Sequence, residues 1–174
     1  MADWGFQCTG IRGALTVLRR SAKVPITAAA FENSRGMNNP ATRLPDGAEN
    51  VSMAGFNLHA GPFYRLSDEG GTRRFAFVAA EKHMNAAGSV HGGLLMTFAD
   101  VAMSKTSRLA TGAKSCSTVS ASCDFVGPGR LGDLVEIRVR VTRRARTLVF
   151  LSANIEAQGR TLMVATGLWK IVPA

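Results

Sequence analysis

The feature that constrains this chain most is one long apolar segment without proline, followed by a series of extended segments. Residues 92–110 carry Leu94, Leu95, Phe98 and further apolar side chains mostly at helical spacing, and Gly112 is a typical helix end. Extended segments are predicted at residues 115–125, 134–142, 148–157 and 161–172, with glycine-containing turns between several of them. We therefore expect one long helix and a run of strands joined by short turns.

The segment at residues 134–142 shows the clearest alternation. Valine or isoleucine occupies every odd position from 135 to 141, and charged or polar residues occupy the even positions from 136 to 142. Two shorter strands are predicted before the helix, at residues 63–66 and 74–79, and residues 37–55 are predicted to be a loop. A single apolar helix can bury itself only by lying across such a sheet, so the predicted fold class is α+β.

Residues 1–36 differ from the rest because basic residues outnumber acidic residues there by five to two. Three interpretations are open: a cleaved organelle-targeting segment, an added N-terminal helix, or a misplaced start with Met37 as the true beginning. At 174 residues the chain suits one domain. We predict an N-terminal extension at residues 1–50 and a folded domain at residues 51–174.

The net charge of +9 fits either an anionic partner or a basic surface that is simply solvated, and composition does not choose between them. Nucleic acid, an anionic membrane surface and a polyphosphorylated small molecule all fit this charge. No apolar run approaches the roughly 20 residues that span a bilayer, so we expect no membrane-spanning segment.

Cysteine usage points to a reducing compartment. The chain has three cysteines, an odd number with no CxxC pair. We expect a cytoplasmic protein, with organelle targeting by residues 1–36 as the alternative. Because Cys116 and Cys123 are an odd number of residues apart in one predicted strand, they should lie on opposite faces of it.

Asp100 is the residue on which we expect the chemistry to depend. It is the only carboxylate of the predicted helix, it has apolar neighbours, and it shares a face with Gly93, Thr97 and Ser104. Aspartate is unfavourable inside a helix, and a carboxylate partly removed from water is a better proton acceptor. The alternative is an exposed aspartate on the one solvated face of the helix.

The residues before the helix are suited to binding a carbonyl group. Gly92 and Gly93 open the helix, where backbone N–H groups lack partners and can stabilise a developing oxyanion. Glycine also allows a ligand to approach the backbone closely. Asn85 would position water or a carbonyl, or else form a turn, and His91 would contact substrate or hold the loop.

Several other kinds of site are absent from the sequence. There is no G-x-S-x-G elbow, no phosphate-binding glycine loop and no H-E-x-x-H motif. With three histidines and no close cysteine or carboxylate clusters, we expect no metal site.

Residues 83–100, HMNAAGSVHGGLLMTFAD, resemble the H-x-N-x-x-G-x-x-H-G-G signature, followed by an aspartate, of PaaI-type thioesterases in the 4-hydroxybenzoyl-CoA thioesterase superfamily. The segment FVGPGRLGDLVEI is similar to that family's strand, proline-containing turn, Gly-Asp and next strand. The resemblance covers about residues 55–172. It implies a hotdog fold, in which a five- to six-stranded antiparallel sheet wraps around one long helix. It also implies homodimers or homotetramers with active sites at the dimer interface.

The resemblance further implies hydrolysis of acyl-CoA thioesters without a metal or redox cofactor. Asp100 would be the general base or the nucleophile, and the Gly93 amide would polarise the thioester carbonyl. Asn85 and His91 would come from the partner subunit relative to Asp100, with Asn85 orienting water or the carbonyl.

In some members of the family a serine or threonine on the strand after the helix orients the water. Thr118 aligns best with that position, and Ser117 and Ser120 are close alternatives. We also expect Gly92 and His83 to contact the substrate.

Coenzyme A, as part of the substrate, offers phosphates as a partner for the basic surplus. Arginine suits bidentate phosphate contacts, and we predict that Arg138, Arg140 and Arg143 make them. The alternative is a solvated sheet edge.

Rival functions differ in the residues they need. A non-catalytic acyl-CoA binding or sensing module on the same fold would not need Asp100, and a hotdog dehydratase places its catalytic pair in a different motif. Nucleic-acid binding would need aromatic residues among the basic ones of the predicted strand, and these are missing. We therefore expect an acyl-CoA thioesterase that binds neither nucleic acid nor a membrane.

Overall fold

The computed structural model describes residues 43–172, so the interpretations of residues 1–36 lie outside the described part of the chain. In chain order the elements are β1 (Glu49–Asn50), α1 (Gly55–Ala60), β2 (Tyr64–Arg65), β3 (Arg73–Val78), a 3-10 turn (Glu81–His83), α2 (Gly92–Thr111), β4 (Ser115–Phe125), β5 (Leu134–Arg144), β6 (Leu148–Ala157) and β7 (Arg160–Val172). The fold class is α+β, as predicted.

All of these strands form one antiparallel sheet in the order β1-β2-β3-β5-β6-β7-β4. The helix α2 packs against β3, β4, β5, β6 and β7, which is the arrangement expected of a hotdog fold. The sheet has seven strands rather than the predicted five to six, because the two-residue strands β1 and β2 extend it beyond β3. The predicted loop at residues 37–55 also contains β1, which forms by pairing with β2 and has no local sequence pattern of its own.

The core lies between α2 and one face of the sheet. The long buried side chains of the helix point to this face: Leu94, Leu95, Phe98, Val101 and Met103. The ring centroid of Phe98 is 5.1 Å from that of Phe63 and 4.9 Å from that of Phe77. In β5 the odd positions 135, 137 and 139 are fully buried, which confirms the predicted alternation there. Within residues 43–172 no helix is both long enough and apolar enough to cross a membrane.

A β-bulge at Val119 changes which side chains of β4 face the helix. Thr118 pairs with Trp169 of β7, and Ser120 pairs with the adjacent Leu168, so Val119 is an extra residue. Trp169 is fully buried and faces the core. The helix-facing residues of β4 therefore have even numbers before the bulge and odd numbers after it.

The bulge overturns the prediction for the two cysteines of β4. Cys116 pairs with Ile171 and Cys123 with Ala165, and both partners are core residues. Both thiols therefore lie on the same face of the strand, packed against the core. The prediction of opposite faces is wrong because one extra residue shifts the alternation by one position.

Asp133, in the turn before β5, is a buried carboxylate with two donors. Its Oδ2 accepts hydrogen bonds from the Arg160 guanidinium at 2.8 Å and from the Arg130 backbone N–H at 2.9 Å, while 4% of its side chain is exposed. Removing one partner of a buried pair leaves the other charge uncompensated. Arg160→Ala should therefore lower the free energy of unfolding by about 1–3 kcal/mol.

Urea unfolding measures this loss. Arg140→Ala is the matched control, because Arg140 is exposed and has no ion-pair partner among the described residues; it should change stability by about 0.5 kcal/mol or less. Equal effects of the two replacements would show that the pair with Asp133 does not stabilise the fold.

Candidate active site

Asp100 and Thr118 meet between α2 and the edge strand β4. The Thr118 hydroxyl donates a 2.6 Å hydrogen bond to Oδ1 of Asp100. The Asp100 residue is half-buried and Thr118 is exposed, so the pair is open to a ligand. The neighbouring Ser117 and Ser120 are on the opposite side of the strand, because they pair with residues of β7 that do not face the core. The structure therefore brings Thr118, and not either serine, to the carboxylate.

The polar residues that share a helix face with Asp100 make hydrogen bonds of different kinds. Thr97 donates back to the Gly93 carbonyl at 2.9 Å, within the helix. Ser104 Oγ accepts a 2.8 Å hydrogen bond from Nε1 of Trp169. Asp100 is thus the residue of this face whose side chain contacts the edge strand β4. The alternative of a merely solvated aspartate does not fit this contact.

The Gly93 N–H, which is predicted to bind the substrate carbonyl, already has a hydrogen-bond partner within the chain. His91 is the N-cap of α2, and its Nδ1 accepts a 2.9 Å hydrogen bond from the Gly93 N–H. Both residues are exposed. A carbonyl group that binds this amide must therefore displace the His91 ring.

Phe125, at the end of β4, is a residue of this site that the sequence analysis missed. A Cβ atom at position 92 would lie 3.0 Å from Cε1 and 3.2 Å from Cζ of Phe125, so the ring lies against Gly92. Phe125 pairs with the core residue Met163, which places it on the helix-facing side. Strict alternation from Thr118 would put position 125 on the other side, so no sequence pattern could have found this contact.

The Gly93 amide and the Asp100 carboxylate are far apart within one chain. Seven residues of α-helix separate them, which is about 10 Å along the axis. A carbonyl group is about 1.2 Å long and cannot accept a hydrogen bond from that amide while it contacts that carboxylate. Within one chain, Asp100 is therefore in contact with Thr118, and the amide at the start of α2 lies too far away to act on the same carbonyl.

Asn85 forms a tight turn with its own neighbours. Its Oδ1 accepts from the N–H groups of Ala87 at 2.9 Å and Ser89 at 3.1 Å, and its Nδ2 donates to the Ser89 hydroxyl at 2.9 Å. The turn interpretation of this residue fits these contacts. In this conformation, one Nδ2 hydrogen is left for any other ligand.

His83 is a structural residue and not a surface group. It is 3% exposed, its Nδ1 accepts a 3.0 Å hydrogen bond from the Ala80 N–H, and its ring meets that of Phe77 edge-on at 5.3 Å. Its own carbonyl accepts from the His91 N–H at 2.8 Å, which ties the loop to the start of α2. The structure does not place the His83 ring among the exposed groups of the candidate site, because the core encloses it.

The burial of His83 should make stability depend on pH. Burial lowers the pKa of His83, and the nearby backbone carbonyls of Gly61 and Ala60 only partly oppose this shift. Below the ordinary histidine pKa of about 6.5, the unfolded chain binds a proton that the folded chain resists. This contribution to stability is therefore present above that pH and is lost as pH falls toward the folded pKa. From pH 7.5 to 5.5 the loss should reach at most about 1.4 kcal/mol.

Urea unfolding at the two pH values, with matched variants, measures this contribution. His83→Asn, whose amide oxygen can replace Nδ1 as acceptor, should lose this part of the pH dependence. His59→Asn should keep it, because His59 is exposed. The same pH dependence in both variants would rule out His83 as its source.

Arg138 is already engaged by carboxylates. Its guanidinium lies 2.9 Å from Glu156 and 3.1 Å from Glu136, and Glu136 also accepts a bidentate pair from Arg74. The prediction that Arg138 binds a substrate phosphate does not fit these contacts, because a phosphate would have to compete with two carboxylates.

Arg140 and Arg143 lie on the face of the sheet away from α2. Both are exposed, and neither has an ion-pair partner within residues 43–172. A second bulge, at Thr142, puts Arg143 opposite Phe150, on the same outer face as Arg140. These two arginines are free to bind an anion, but the structure does not bring them to Asp100 of the same chain.

Comparison with known proteins places this geometry in a family. The family model described as "Thioesterase superfamily" matches residues 87–164, which include α2, β4, Asp100 and Thr118. A Pseudomonas aeruginosa protein provisionally named an esterase is 32% identical over 112 residues, 64% of this chain and 84% of that protein. Human acyl-coenzyme A thioesterase 13 is 31% identical over 91 residues, 50% of this chain and 62% of that protein.

Solved structures share the fold at lower identity. The PaaI protein of Escherichia coli, from the phenylacetic acid degradation operon, superposes with a TM-score of 0.59 at 19% identity, covering 64% of this chain and 80% of that one. A Streptococcus pneumoniae thioesterase solved with coenzyme A has a TM-score of 0.58 at 21% identity, covering 64% and 89%. From the fold, the matched family model and these relatives, we conclude that the chain belongs to the thioesterase superfamily and has the hotdog fold.

Proposed function

We propose that this protein hydrolyses acyl-CoA thioesters to a free acid and coenzyme A. The observation that carries the proposal is the 2.6 Å hydrogen bond between Thr118 and Asp100, which positions a half-buried carboxylate at an open edge of the fold. In a thioesterase family, such a carboxylate is suited to the proton transfer or nucleophilic attack that hydrolysis needs.

Side-chain and backbone groups are sufficient for the proposed chemistry. As a general base, Asp100 accepts a proton from water while the water oxygen attacks the carbonyl carbon. The C–S bond then breaks, and the proton passes to the sulfur, which releases the acid and coenzyme A. As a nucleophile, Asp100 would instead attack the carbonyl carbon, break the C–S bond and release coenzyme A, whose thiolate takes up a proton from water. Water would then hydrolyse the resulting anhydride to the free acid and restore Asp100. In either route the Thr118 hydroxyl orients the carboxylate through Oδ1 and leaves Oδ2 for the reaction.

The groups that act on one carbonyl would come from two copies of the chain. The Gly93 amide and Asp100 are too far apart to meet one carbonyl within a subunit. Within the described residues, the outer edge of β4 has no strand partner, and nine of its eleven residues are exposed. Because an unpaired strand edge favours pairing, we place the dimer interface there.

The contacts within one chain suggest how the two copies align. Asp100 and Gly92 lie four residues either side of Met96 on α2, and the midpoint of their contact residues Thr118 and Phe125 on β4 lies between Ala121 and Ser122. A two-fold axis near these midpoints would bring Asp100 and Thr118 of one subunit to Gly92 and Phe125 of the other. Each dimer would then contain two equivalent sites, and pairing of dimers would give a tetramer.

The start of α2 would bind the carbonyl in each site. The Gly93 N–H would exchange the His91 ring for the thioester oxygen, where it would stabilise the oxyanion. Asn85, from the same subunit as this amide, would contribute its remaining N–H to water or to the carbonyl. Arg140 and Arg143, which lack carboxylate partners among the described residues, would be the candidates for coenzyme A phosphates.

Release of free thiol from acyl-CoA tests the proposal. The substrates would be short-, medium- and long-chain acyl-CoAs together with phenylacetyl-CoA and hydroxybenzoyl-CoA, each followed with a thiol-reactive dye. Turnover that is proportional to protein concentration is expected for at least one substrate class. Binding of acyl-CoA without turnover of any of them would instead identify a binding module on the same fold.

A further inference from the structure

Phe125 is a large apolar side chain exposed at the candidate site. It is 56% exposed, although it lies on the helix-facing side of β4. One edge of its ring touches the Gly92 backbone, and Gly93, whose amide is the proposed carbonyl donor, follows directly. An exposed aromatic surface in this position can contact atoms close to the thioester.

The surface between the start of α2 and Asp100 is also apolar. Met96 is one turn beyond Gly92 on the same side of the helix and is 46% exposed. Ala121 and Cys123 lie on the facing row of β4 between Thr118 and Phe125. A ligand next to the Gly93 amide therefore meets hydrocarbon and ring surface along this row, between the His91 ring at the amide and the polar pair at the Asp100 end.

We propose that Phe125 forms the wall that receives the acyl group and determines which acyl chains the protein accepts, an inference that rests on the proposed hydrolysis of acyl-CoA. The other part of an acyl-CoA that could lie against the ring is the pantetheine arm, which carries two amides that need hydrogen-bond partners. An apolar ring offers none, whereas the acyl chain gains by leaving water against it. Glycine at position 92 lets the ring lie this close to the backbone, since a Cβ atom there would push the ring by a few tenths of an ångström.

In the proposed dimer, this wall would lie next to the reacting carbonyl. Phe125 and Gly93 of one subunit would flank the carbonyl, while Asp100 and Thr118 of the other would deliver the attack. The ring would then contact the first carbons of the acyl chain. Burying the exposed half of a phenylalanine ring is enough to change affinity by about tenfold.

Binding of S-alkyl-CoA thioethers, which have no carbonyl to hydrolyse, tests the wall separately from the reaction. Calorimetric titration would use coenzyme A and its ethyl, butyl, hexyl and octyl thioethers with the native oligomer, Phe125→Ala, Phe125→Leu and a control. The control is Leu109→Ala, because Leu109 is a 46% exposed apolar residue in the last turn of α2, away from the site. Light scattering of each variant would report the oligomeric state.

The native protein and the control should bind more tightly as the alkyl chain lengthens. Phe125→Ala should lose about tenfold in affinity for the hexyl and octyl thioethers, with coenzyme A itself changed about twofold or less. Phe125→Leu should recover most of the loss. An equal loss for coenzyme A and every thioether, no gain with chain length in the native protein, or dissociation of the Phe125→Ala oligomer would overturn the proposal.

The two proposals fail in distinguishable ways. Chain-dependent binding that needs Phe125, without release of thiol from any acyl-CoA, would refute hydrolysis and leave the acyl wall in place. Hydrolysis with a binding profile that is unchanged by Phe125→Ala would refute the acyl wall and leave the thioesterase.

Discussion

Asp100→Asn should reduce thioester hydrolysis by about 10²–10⁴-fold while the fold and the oligomer stay intact. Asparagine has the same shape as aspartate, and its Oδ1 can still accept the hydrogen bond from Thr118. Its amide, however, can neither accept a proton from water nor attack a carbonyl carbon. The variant therefore removes the chemistry and keeps the packing.

The measurement is kcat for thiol release from the best substrate of the native protein. Asp124→Asn is the matched control. Asp124 lies on β4, the strand that carries Thr118, and it is exposed and points away from the helix. It should retain nearly full activity. Thr118→Ser should retain more activity than Thr118→Val, because only serine keeps the hydroxyl donor to Asp100. Activity of Asp100→Asn equal to that of Asp124→Asn would refute the assignment of the carboxylate.

Trp169→Ala should lower the free energy of unfolding by about 3–5 kcal/mol, the largest stability effect we expect from one replacement. Trp169 is fully buried in β7 and donates from Nε1 to the Ser104 hydroxyl at 2.8 Å. Its ring lies over Gly167, where a Cβ atom would be 2.5 Å from a ring carbon. Removing the indole leaves a cavity between α2 and the sheet at this point.

Urea unfolding followed by far-ultraviolet circular dichroism would measure this loss. Trp169→Phe should lose less stability than Trp169→Ala, because the phenyl ring keeps most of the apolar contact and lacks only the Nε1–H donor. Lys170→Ala serves as the control: this neighbouring residue is exposed, and its replacement should change stability by about 0.5 kcal/mol or less. A similar small effect for Trp169→Ala would mean that the site collapses without a cavity.

Sequence periodicity alone predicted most of the long elements. The prediction of a helix at residues 92–110 agrees with α2 to one residue, and the strands at 115–125 and 148–157 agree with β4 and β6 at both ends. These elements follow from the spacing of apolar residues within one segment, and that spacing does not depend on distant parts of the chain. The strand β2 lies within the segment predicted at residues 63–66, whereas β1 was missed, since its two residues form a strand only through their pairing partner.

The sequence also determined which residues carry the candidate chemistry. Asp100 stands out in the sequence as the only carboxylate of α2, and the family resemblance points to Thr118 with Ser117 and Ser120 as alternatives. Asp100 and Thr118 are in hydrogen-bond contact, which is possible because β4 follows the helix directly and returns beside it. The register of β4 against β7 separates Thr118 from the two serines.

Only the tertiary structure decided which way the other side chains point. Bulges at Val119 and Thr142 arise from pairing with neighbouring strands, and each shifts the two-residue alternation by one position. The first shift brings Phe125 to the site, and the second puts Arg143 on the same outer face of the sheet as Arg140. In the same way, the core encloses His83, carboxylates of β5 and β6 bind Arg138, and the His91 ring holds the Gly93 amide. The enclosure of His83 and the contact of Arg138 with Glu156 depend on residues far apart in sequence, and the His91 contact depends on a side-chain rotamer.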